Sequence, residues 1–402
     1  MNYNEKLKNC RSYGGSTEYL IDWGKRPIVN NLQAKPGPTK TFAIEVSGCP
    51  QCGLVQIIDP IDPAEFYTNY ANSSTLKREP HLEELVARIE ALLPIDAKLI
   101  DIGCNDGKFL KVLRDRGFKA LYGLEPTKNM SELASLAGFP IFDSFLNLQA
   151  SHEVIQRFGK FDCVVMRQVL EHIEYLVDFG KAIQNLLNPD GLLVIEVPDA
   201  QDHFDSSDYA LWEEHINDFN LESLRNFLAL NGFKVIAHYS SLFSGTCLTV
   251  ISRQTSRVDT EIEPATQSAQ AFRLWAKSFS AFKQNLSSQI SQALEPNSSV
   301  AVYGVGSRSS FFLNVTGLIE KVSFAIDDDP AKQGKFLAGT SIEIKSRTEG
   351  LKLLNENSLL LLGVNGENED SLLAEIKPLI SCDCRSILPP SKYLLDAFTS
   401  KR

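Results

Sequence analysis

One stretch limits what this chain can fold into more than any other: Lys98-Leu-Ile-Asp-Ile-Gly-Cys-Asn-Asp-Gly-Lys-Phe-Leu110, followed by Leu121-Tyr-Gly-Leu-Glu125-Pro126. Its first residues are a short apolar run, the mark of a buried parallel strand. The run ends in Gly103-Cys104-Asn105-Asp106-Gly107 and passes into a helical pattern carrying Phe109, Leu110, Val112 and Leu113. A glycine-rich turn between strand and helix lets backbone approach a ligand where a Cβ would clash. The second apolar run comes one crossover later and ends in an acid, Glu125. A carboxylate at that strand end is placed to accept both hydroxyls of a ribose. A dinucleotide site would favour Gly-x-Gly-x-x-Gly, with the helix N-terminus holding a pyrophosphate. The spacing here is Asp101-x-Gly103-x-x-x-Gly107. The reading without a ligand is an ordinary tight turn.

Strand-like runs recur at βα spacing around this turn, at residues 99–102, 120–124, 140–142, 161–166 and 191–197, the last preceded by the turn residues Asn188-Pro-Asp190. Helical stretches separate them, as in a parallel doubly wound sheet of an α/β protein. An amphipathic helix starting at His81 leads in. Residues 233–239 and 247–252 read as the last strands, with Thr246 to Ile251 expected to close the sheet. Residues 253–268 are polar and loosen the chain, and 269–294 look helical. A second α/β unit opens at Ser299-Val-Ala-Val-Tyr303-Gly304-Val-Gly306-Ser-Arg308. Its next strand, Val322-Ser-Phe-Ala-Ile326, ends in Asp327-Asp328-Asp329. Gly-x-Gly alone is weak evidence for a nucleotide, and the acids strengthen it. Contacts to a nucleotide-bearing substrate, an NAD-like cofactor and a structural or dimerising role all stay open. At 402 residues two or three domains are expected. The boundaries read as 1–75, 76–253, a helical linker at 254–295, and 296–402.

A net charge of -10 argues against nucleic acid as a main partner. No run approaches the ~18 apolar residues of a membrane-spanning helix. The first residues, Met1-Asn-Tyr-Asn-Glu-Lys6, lack the apolar core of a signal peptide. Eight cysteines over this length are too sparse for a disulfide scaffold, so a reducing cytoplasm is expected.

Three other stretches carry candidate chemistry. Cys49-Pro-Gln-Cys52-Gly53 is a zinc-ribbon knuckle, and Cys10-Arg-Ser-Tyr13-Gly-Gly is its counterpart, with tyrosine where a second cysteine should stand. Cys10, Cys49 and Cys52 would hold zinc with a water or a distant histidine as fourth ligand. The alternative is a metal-free remnant held by packing. Phe66-Tyr67-Thr-Asn-Tyr70 reads as a packed surface segment or as a lid with Tyr67 and Tyr70 facing the site. Met166-Arg167-Gln168-Val169-Leu170-Glu171-His172 follows the fourth strand, at the carboxyl edge where such sheets place ligands. His172 there faces substrate or caps a helix. After the fifth strand comes Trp212-Glu213-Glu214-His215. An imidazole beside carboxylates is suited to proton chemistry, against the alternative of a solvated helix start.

The Asp101–Gly107 loop and Glu125 resemble motif I and the ribose-binding acid of class I S-adenosylmethionine-dependent methyltransferases. With the cysteine-rich start, the Glu-His element and the segment Asp328-Asp-Pro-Ala-Lys332-Gln-Gly334, nearly the whole chain resembles the C-methyltransferases of nucleotide-linked keto-deoxysugars. The resemblance implies S-adenosylmethionine held by Asp101, Gly103, Asn105, Gly107, Glu125, Pro126 and Gln168. It implies a nucleotide-sugar substrate, and an enolate formed by His215 as base, with Glu214 orienting it and His172 binding the substrate oxygen. The chain departs from the family's pattern in several places. Tyr13 replaces a zinc-ligand cysteine, and Trp212-Glu213-Glu214-His215 stands where Tyr-His-Glu-His is usual. Gln168 replaces an asparagine, and Gly363-Val-Asn365 replaces a Trp-Asn. O- or N-methylation of a sugar or other small metabolite is the neighbouring reading. A non-catalytic cofactor-binding module is the reading from another class.

Overall fold

The computed structural model describes residues 8–62, 79–209, 211–255, 262–293 and 298–398. The aromatic segment with Tyr67 and Tyr70 lies outside them. The strands, in chain order, are β1 (Glu18–Pro27), β2 (Thr41–Gly48), β3 (Val55–Ile57), β4 (Lys98–Ile102), β5 (Ala120–Leu124), β6 (Ile141–Phe142), β7 (Phe161–Arg167) and β8 (Leu187–Pro198). They continue with β9 (Asn217–Asp218), β10 (Phe233–Leu242), β11 (Thr246–Gln254), β12 (Val300–Tyr303), β13 (Val322–Ile326), β14 (Ile344–Lys345), β15 (Leu359–Leu362) and β16 (Asp383–Ser386). They build three sheets, ordered β1-β2-β3-β9, β10-β11-β8-β7-β4-β5-β6 and β14-β13-β12-β15-β16. The fold is α/β, with a Rossmann-like seven-stranded sheet and a second α/β domain after it.

The seven-stranded sheet is parallel from β8 through β6. Its central strands β4 and β7 are buried on both faces, which is why they read as continuous apolar runs. Two buried clusters cover the two faces, one with Ile100, Val164 and Ile195, the other with Leu99, Val165 and Val194. Helix Lys108–Asp115 buries Phe109, Leu110 and Leu113, the periodic apolar face of its sequence.

Two expectations about this sheet need correction. β11 does not close it: β11 lies between β8 and β10, antiparallel to both. β10 is the edge, and its burial alternates residue by residue, so one face meets solvent. β11 is buried almost throughout, as an inserted strand must be. The turn residues Asn188 to Asp190 also do not precede the fifth strand. They form an irregularity inside β8, where pairing with β7 jumps from Phe161–Leu187 to Cys163–Leu192 and Asp190 takes a φ of 62°.

The small first sheet is completed by β9, which comes from the segment just after His215. Val55 pairs with Asp218 and Gln56 with Asn217. Trp23 on β1 meets Tyr209, Trp275 and Phe311 at 5.3–6.4 Å between ring centroids, all edge-on. Such contacts contribute about 0.5–1.5 kcal/mol each beyond burial. Trp275 lies on the long helix Thr266–Ala293 and Phe311 on helix Ser307–Thr316 of the last domain. One core thus joins the first sheet, the long helix and the last domain. No helix among the described residues is long and apolar enough to cross a membrane.

Candidate active site and cysteine cluster

A cavity of about 780 Å³ opens at the carboxyl ends of β4, β5 and β7. Asp101, Gly103, Asn105, Glu125, Pro126 and Gln168 line it, with His172 at its wall. Gly107 stands just behind the lining as the N-cap of helix Lys108–Asp115, with a φ of 78°. Gly103 has a φ of 73°, and a Cβ there would meet Val169 Cγ2 at 2.6 Å. The turn therefore needs glycine for conformation and for space.

Glu125 is oriented by the backbone. Its Oε2 accepts from Asn105 N and its Oε1 from Thr127 N, both at 2.8 Å. Each oxygen keeps a second lone pair for a ligand. Asp101 is buried at the end of β4, and desolvation lifts its carboxyl to about 7 despite the pull of Arg167. Arg167 bonds Glu79 and lies 3.3 Å from Glu196, while Lys108 bonds the other Glu79 oxygen at 2.9 Å. Burial works to raise Glu196, but Arg167 and His81 outweigh it and hold the carboxyl below its usual range. Glu79, Arg167 and Phe243 line the cavity without having been singled out in the sequence. Glu79 precedes the first helix and Phe243 follows β10, so no local pattern marks them.

The two candidate histidines lie together. Their rings are 4.7 Å apart and edge-on. His172 Nδ1 is 2.7 Å from the Glu214 carbonyl oxygen. A carbonyl only accepts, so Nδ1 carries the hydrogen and Nε2 of the neutral ring carries the lone pair. His215 stacks on Trp212 at 3.5 Å. An oxygen of Glu171 and ring nitrogens of His172 and His215 all lie within 4.8 Å of one another. Residues 211–216 form no helix. The Glu214 carboxylate accepts from Asn30 Nδ2 at 2.9 Å, and Asn30 also bonds Ser307 of the last domain at 2.8 Å. Glu213 accepts from Val29 N at 2.6 Å, and burial pushes its carboxyl up to about 8.

The sulfurs of Cys10, Cys49 and Cys52 converge, all within 4.8 Å, with Cys10 and Cys52 3.4 Å apart. Two matching knuckles present them. Gly14 N bonds Cys10 O and Gly53 N bonds Cys49 O, both at 2.8 Å, and both glycines have positive φ. Tyr13 N and Cys52 N each donate to the first sulfur of their knuckle at 3.4 Å. Hydrogen bonds from Cys10 and Cys52 hold Cys49 down at about 3, while bonding to Cys49 pushes Cys10 up to about 11. Three converging sulfurs fit a zinc ion, which would deprotonate all of them. The fourth knuckle position is the exposed Tyr13. Next to Cys10, Arg11 bonds Ile216 O at 3.1 Å and Asn217 Oδ1 at 3.3 Å, which ties this cluster to the segment carrying His215.

A family model described as a methyltransferase domain matches residues 75–238, and one described as a C-methyltransferase C-terminal domain matches 248–371. The C-methyltransferase NovU of Streptomyces niveus is 24% identical over 364 residues, covering 85% of this chain and 86% of that protein. Among solved structures, a methyltransferase from Anabaena variabilis aligns at 19% identity over 43% of this chain and 83% of its own, with a TM-score of 0.37. Magnesium protoporphyrin IX methyltransferase from Synechocystis aligns at 15% identity over 48% and 89%, with a TM-score of 0.34. With both family models in chain order along one polypeptide, this chain is an S-adenosylmethionine-dependent methyltransferase, similar along most of its length to C-methyltransferases.

Proposed function

We propose that this enzyme methylates a carbon of a nucleotide-linked keto-deoxysugar through an enolate. The observation that carries the reading is the pair of imidazoles beside the cofactor cavity, one with its tautomer set by the Glu214 carbonyl. Asp101, Gly103, Asn105, Gly107, Glu125, Pro126 and Gln168 hold S-adenosylmethionine, with the free lone pairs of Glu125 accepting the ribose hydroxyls. Bound there, the cofactor supplies an electrophilic sulfonium methyl. The chain's task is to make a carbon nucleophile. His215 takes the proton next to the ketone, and the C–H electron pair stays on the substrate as the enolate. His172 faces the substrate oxygen through Nε2, and a proton on that nitrogen would stabilise the charge that develops there. Glu214, held by Asn30, sets the backbone that carries His215 and anchors His172.

The other parts take supporting roles in this reading. Residues 1–75 carry a zinc site of three cysteines that steadies the His215 segment through Arg11. Residues 76–253 form the catalytic domain and 254–295 the linker. Residues 296–402 contact the nucleotide carrier from outside the closed Gly304–Gly306 turn. The test is turnover with S-adenosylmethionine and a panel of nucleotide-linked 4-keto-deoxysugars. Product mass spectrometry and NMR should show one added methyl on carbon. A methyl on oxygen or nitrogen would replace the enolate reading, and turnover only with sugars lacking a nucleotide would remove the carrier.

A further inference from the structure

The catalytic reading leaves the buried Glu171 without a use. Glu171 sits in the single turn Leu170–His172 after β7. It is 1% exposed, and neither carboxylate oxygen has a hydrogen-bond partner among the described residues. A buried charge in that state costs several kcal/mol, so such a group keeps its proton or has a partner to come. One of its oxygens lies within 4.8 Å of a ring nitrogen of His172 and of one of His215. The other charged groups acting on it are Glu196 on β8 and Asp218 on β9, both acids. Glu196 is occupied by His81 and Arg167, and Asp218 by His203 at 3.2 Å. Cys247 on β11 also lies within its field. Burial first, then these acids, lifts the Glu171 carboxyl to about 8.

The state of His172 gives that proton a destination. Nδ1 spends its hydrogen on the Glu214 carbonyl. A neutral His172 therefore offers only a lone pair at Nε2, and a lone pair repels a developing enolate oxygen. The ring becomes a donor on both sides only when it gains a second proton. Resting on the reading above, we infer that Glu171 is a positioning residue that stores this proton and passes it to His172 Nε2 as the enolate forms.

The step balances. The Glu171 O–H bond breaks, its electron pair stays on the carboxylate, and the new N–H bond forms at His172. Neutral acid and neutral imidazole become a carboxylate beside an imidazolium, so the pair's net charge stays zero in a buried site. The new Nε2–H, shared between the Glu171 carboxylate and the substrate oxygen, and the positive charge of the ring then stabilise the enolate. Separately, the substrate proton goes to His215. After methyl transfer the His172 proton returns to Glu171, and the proton on His215 leaves to solvent. A permanently ionised acid at this place would instead hold both imidazoles protonated and disable the base.

The test uses Glu171→Gln, which keeps shape and cannot ionise. Nitrogen NMR of ring-labelled histidines is recorded against pH with S-adenosylhomocysteine bound. In the wild type, His172 should titrate together with a carboxyl whose midpoint lies near pH 8. In the variant that coupling should vanish, and proton affinity at His172 should fall by about tenfold or more. Infrared difference spectra should show a protonated-carboxyl band in the wild type, lost from the variant. An unmoved His172 titration, or no such band near neutral pH, overturns the inference. Turnover separates this from the broader reading. If His215→Gln keeps full activity, the enolate reading fails. If His215→Gln loses activity while Glu171→Gln keeps both rate and alkaline pH limb, only the role of Glu171 fails. Unchanged S-adenosylmethionine affinity in Glu171→Gln confirms that the variant is folded, and Glu171→Met serves as a second non-ionising variant.

Discussion

The chain builds the same local device twice and uses it differently. Each time an apolar strand ends in a glycine turn, a helix follows, and the next strand ends in an acid. In the first unit the acid is Glu125, and its two backbone bonds leave lone pairs facing a cavity of about 780 Å³. In the second the acid is Asp327, which the protein itself engages. Its Oδ2 accepts from Val305 N at 3.0 Å and from Lys332 Nζ at 3.1 Å, and its Oδ1 from Asp329 N at 3.0 Å. A Cβ on Gly304 would meet Gly363 O at 3.0 Å, and one on Gly363 would meet Gly304 O at 2.4 Å. Two strand ends thus close on each other where the first unit opens. The motif alone does not decide whether a ligand enters; the neighbouring strand and a lysine do.

The largest expected difference between the units concerns the chemical step. His215→Gln should lower turnover by about 10²–10⁴-fold with little change in cofactor affinity, as for loss of a positioned base. Single-turnover rates and calorimetry on the same variant check this. Full turnover would move the base elsewhere, with His172 next to be tested. Trp212 offers no phenol to replace the lost base.

Cofactor binding sharpens the comparison directly. Glu125→Ala should weaken S-adenosylmethionine by roughly 1.5–3 kcal/mol, the range for hydrogen bonds to a charged group. Asp327→Ala should leave that affinity unchanged. Calorimetry in which the two variants behaved alike would break the distinction drawn between the turns.

Metal loss should also act on one unit only. Cys49→Ser, or chelation, should release Arg11 from Ile216 and Asn217 and slow turnover on the order of tenfold, about 1.4 kcal/mol. Hydrogen exchange should quicken in β3 and β9 and stay unchanged in β12 and β13. Tyr13→Cys completes the Cys10 knuckle and should tighten zinc. If metal analysis of protein purified without chelator finds no zinc, the site is a remnant.

Much of this was legible in the chain because periodicity is local. The runs at 99–102 and 120–124 and the glycine spacing define, within ~30 residues, the turn that lines the cavity. The order β10-β11-β8 was not legible, since it depends on a pairing between residues about 50 apart. β9 is two residues long and has no periodicity to read. Asn30 and Ser307, which hold Glu214, come from 184 and 93 positions away, beyond any spacing argument. Glu171 was in view beside His172, but its complete burial is a property of the packed sheet.

The smallest expected effect is on pH dependence, and it has opposite signs in the two units. Around the first turn, burial raises carboxyls: Asp101 to about 7, Glu171 and Glu213 to about 8. A raised acid binds more protons folded than unfolded between its two pKa values, so its contribution to stability is present at low pH and is lost as pH rises. The window runs from about 4.5, the unfolded value, to about 8. His203, raised to about 9 with Asp218 beside it after burial has pulled the other way, loses stability upward through pH 6.5–9. In the second unit burial pulls Asp328 up, but Arg347 and Tyr303 outweigh it and hold the acid below its usual range. That contribution is complete above the unfolded value near 4 and is lost only on acidification. Raising the pH from 6.5 to 8 should therefore destabilise the first unit and leave the second unchanged. Hydrogen exchange at the two pH values, corrected for the intrinsic rate, reads each unit separately. β4, β5 and β7 should lose protection while β12, β13 and β15 keep theirs, and Glu171→Gln should reduce the loss. Equal changes in both sheets would mean that the acids around the first turn titrate as ordinary exposed groups, and the contrast in burial between the two turns would lose its electrostatic consequence.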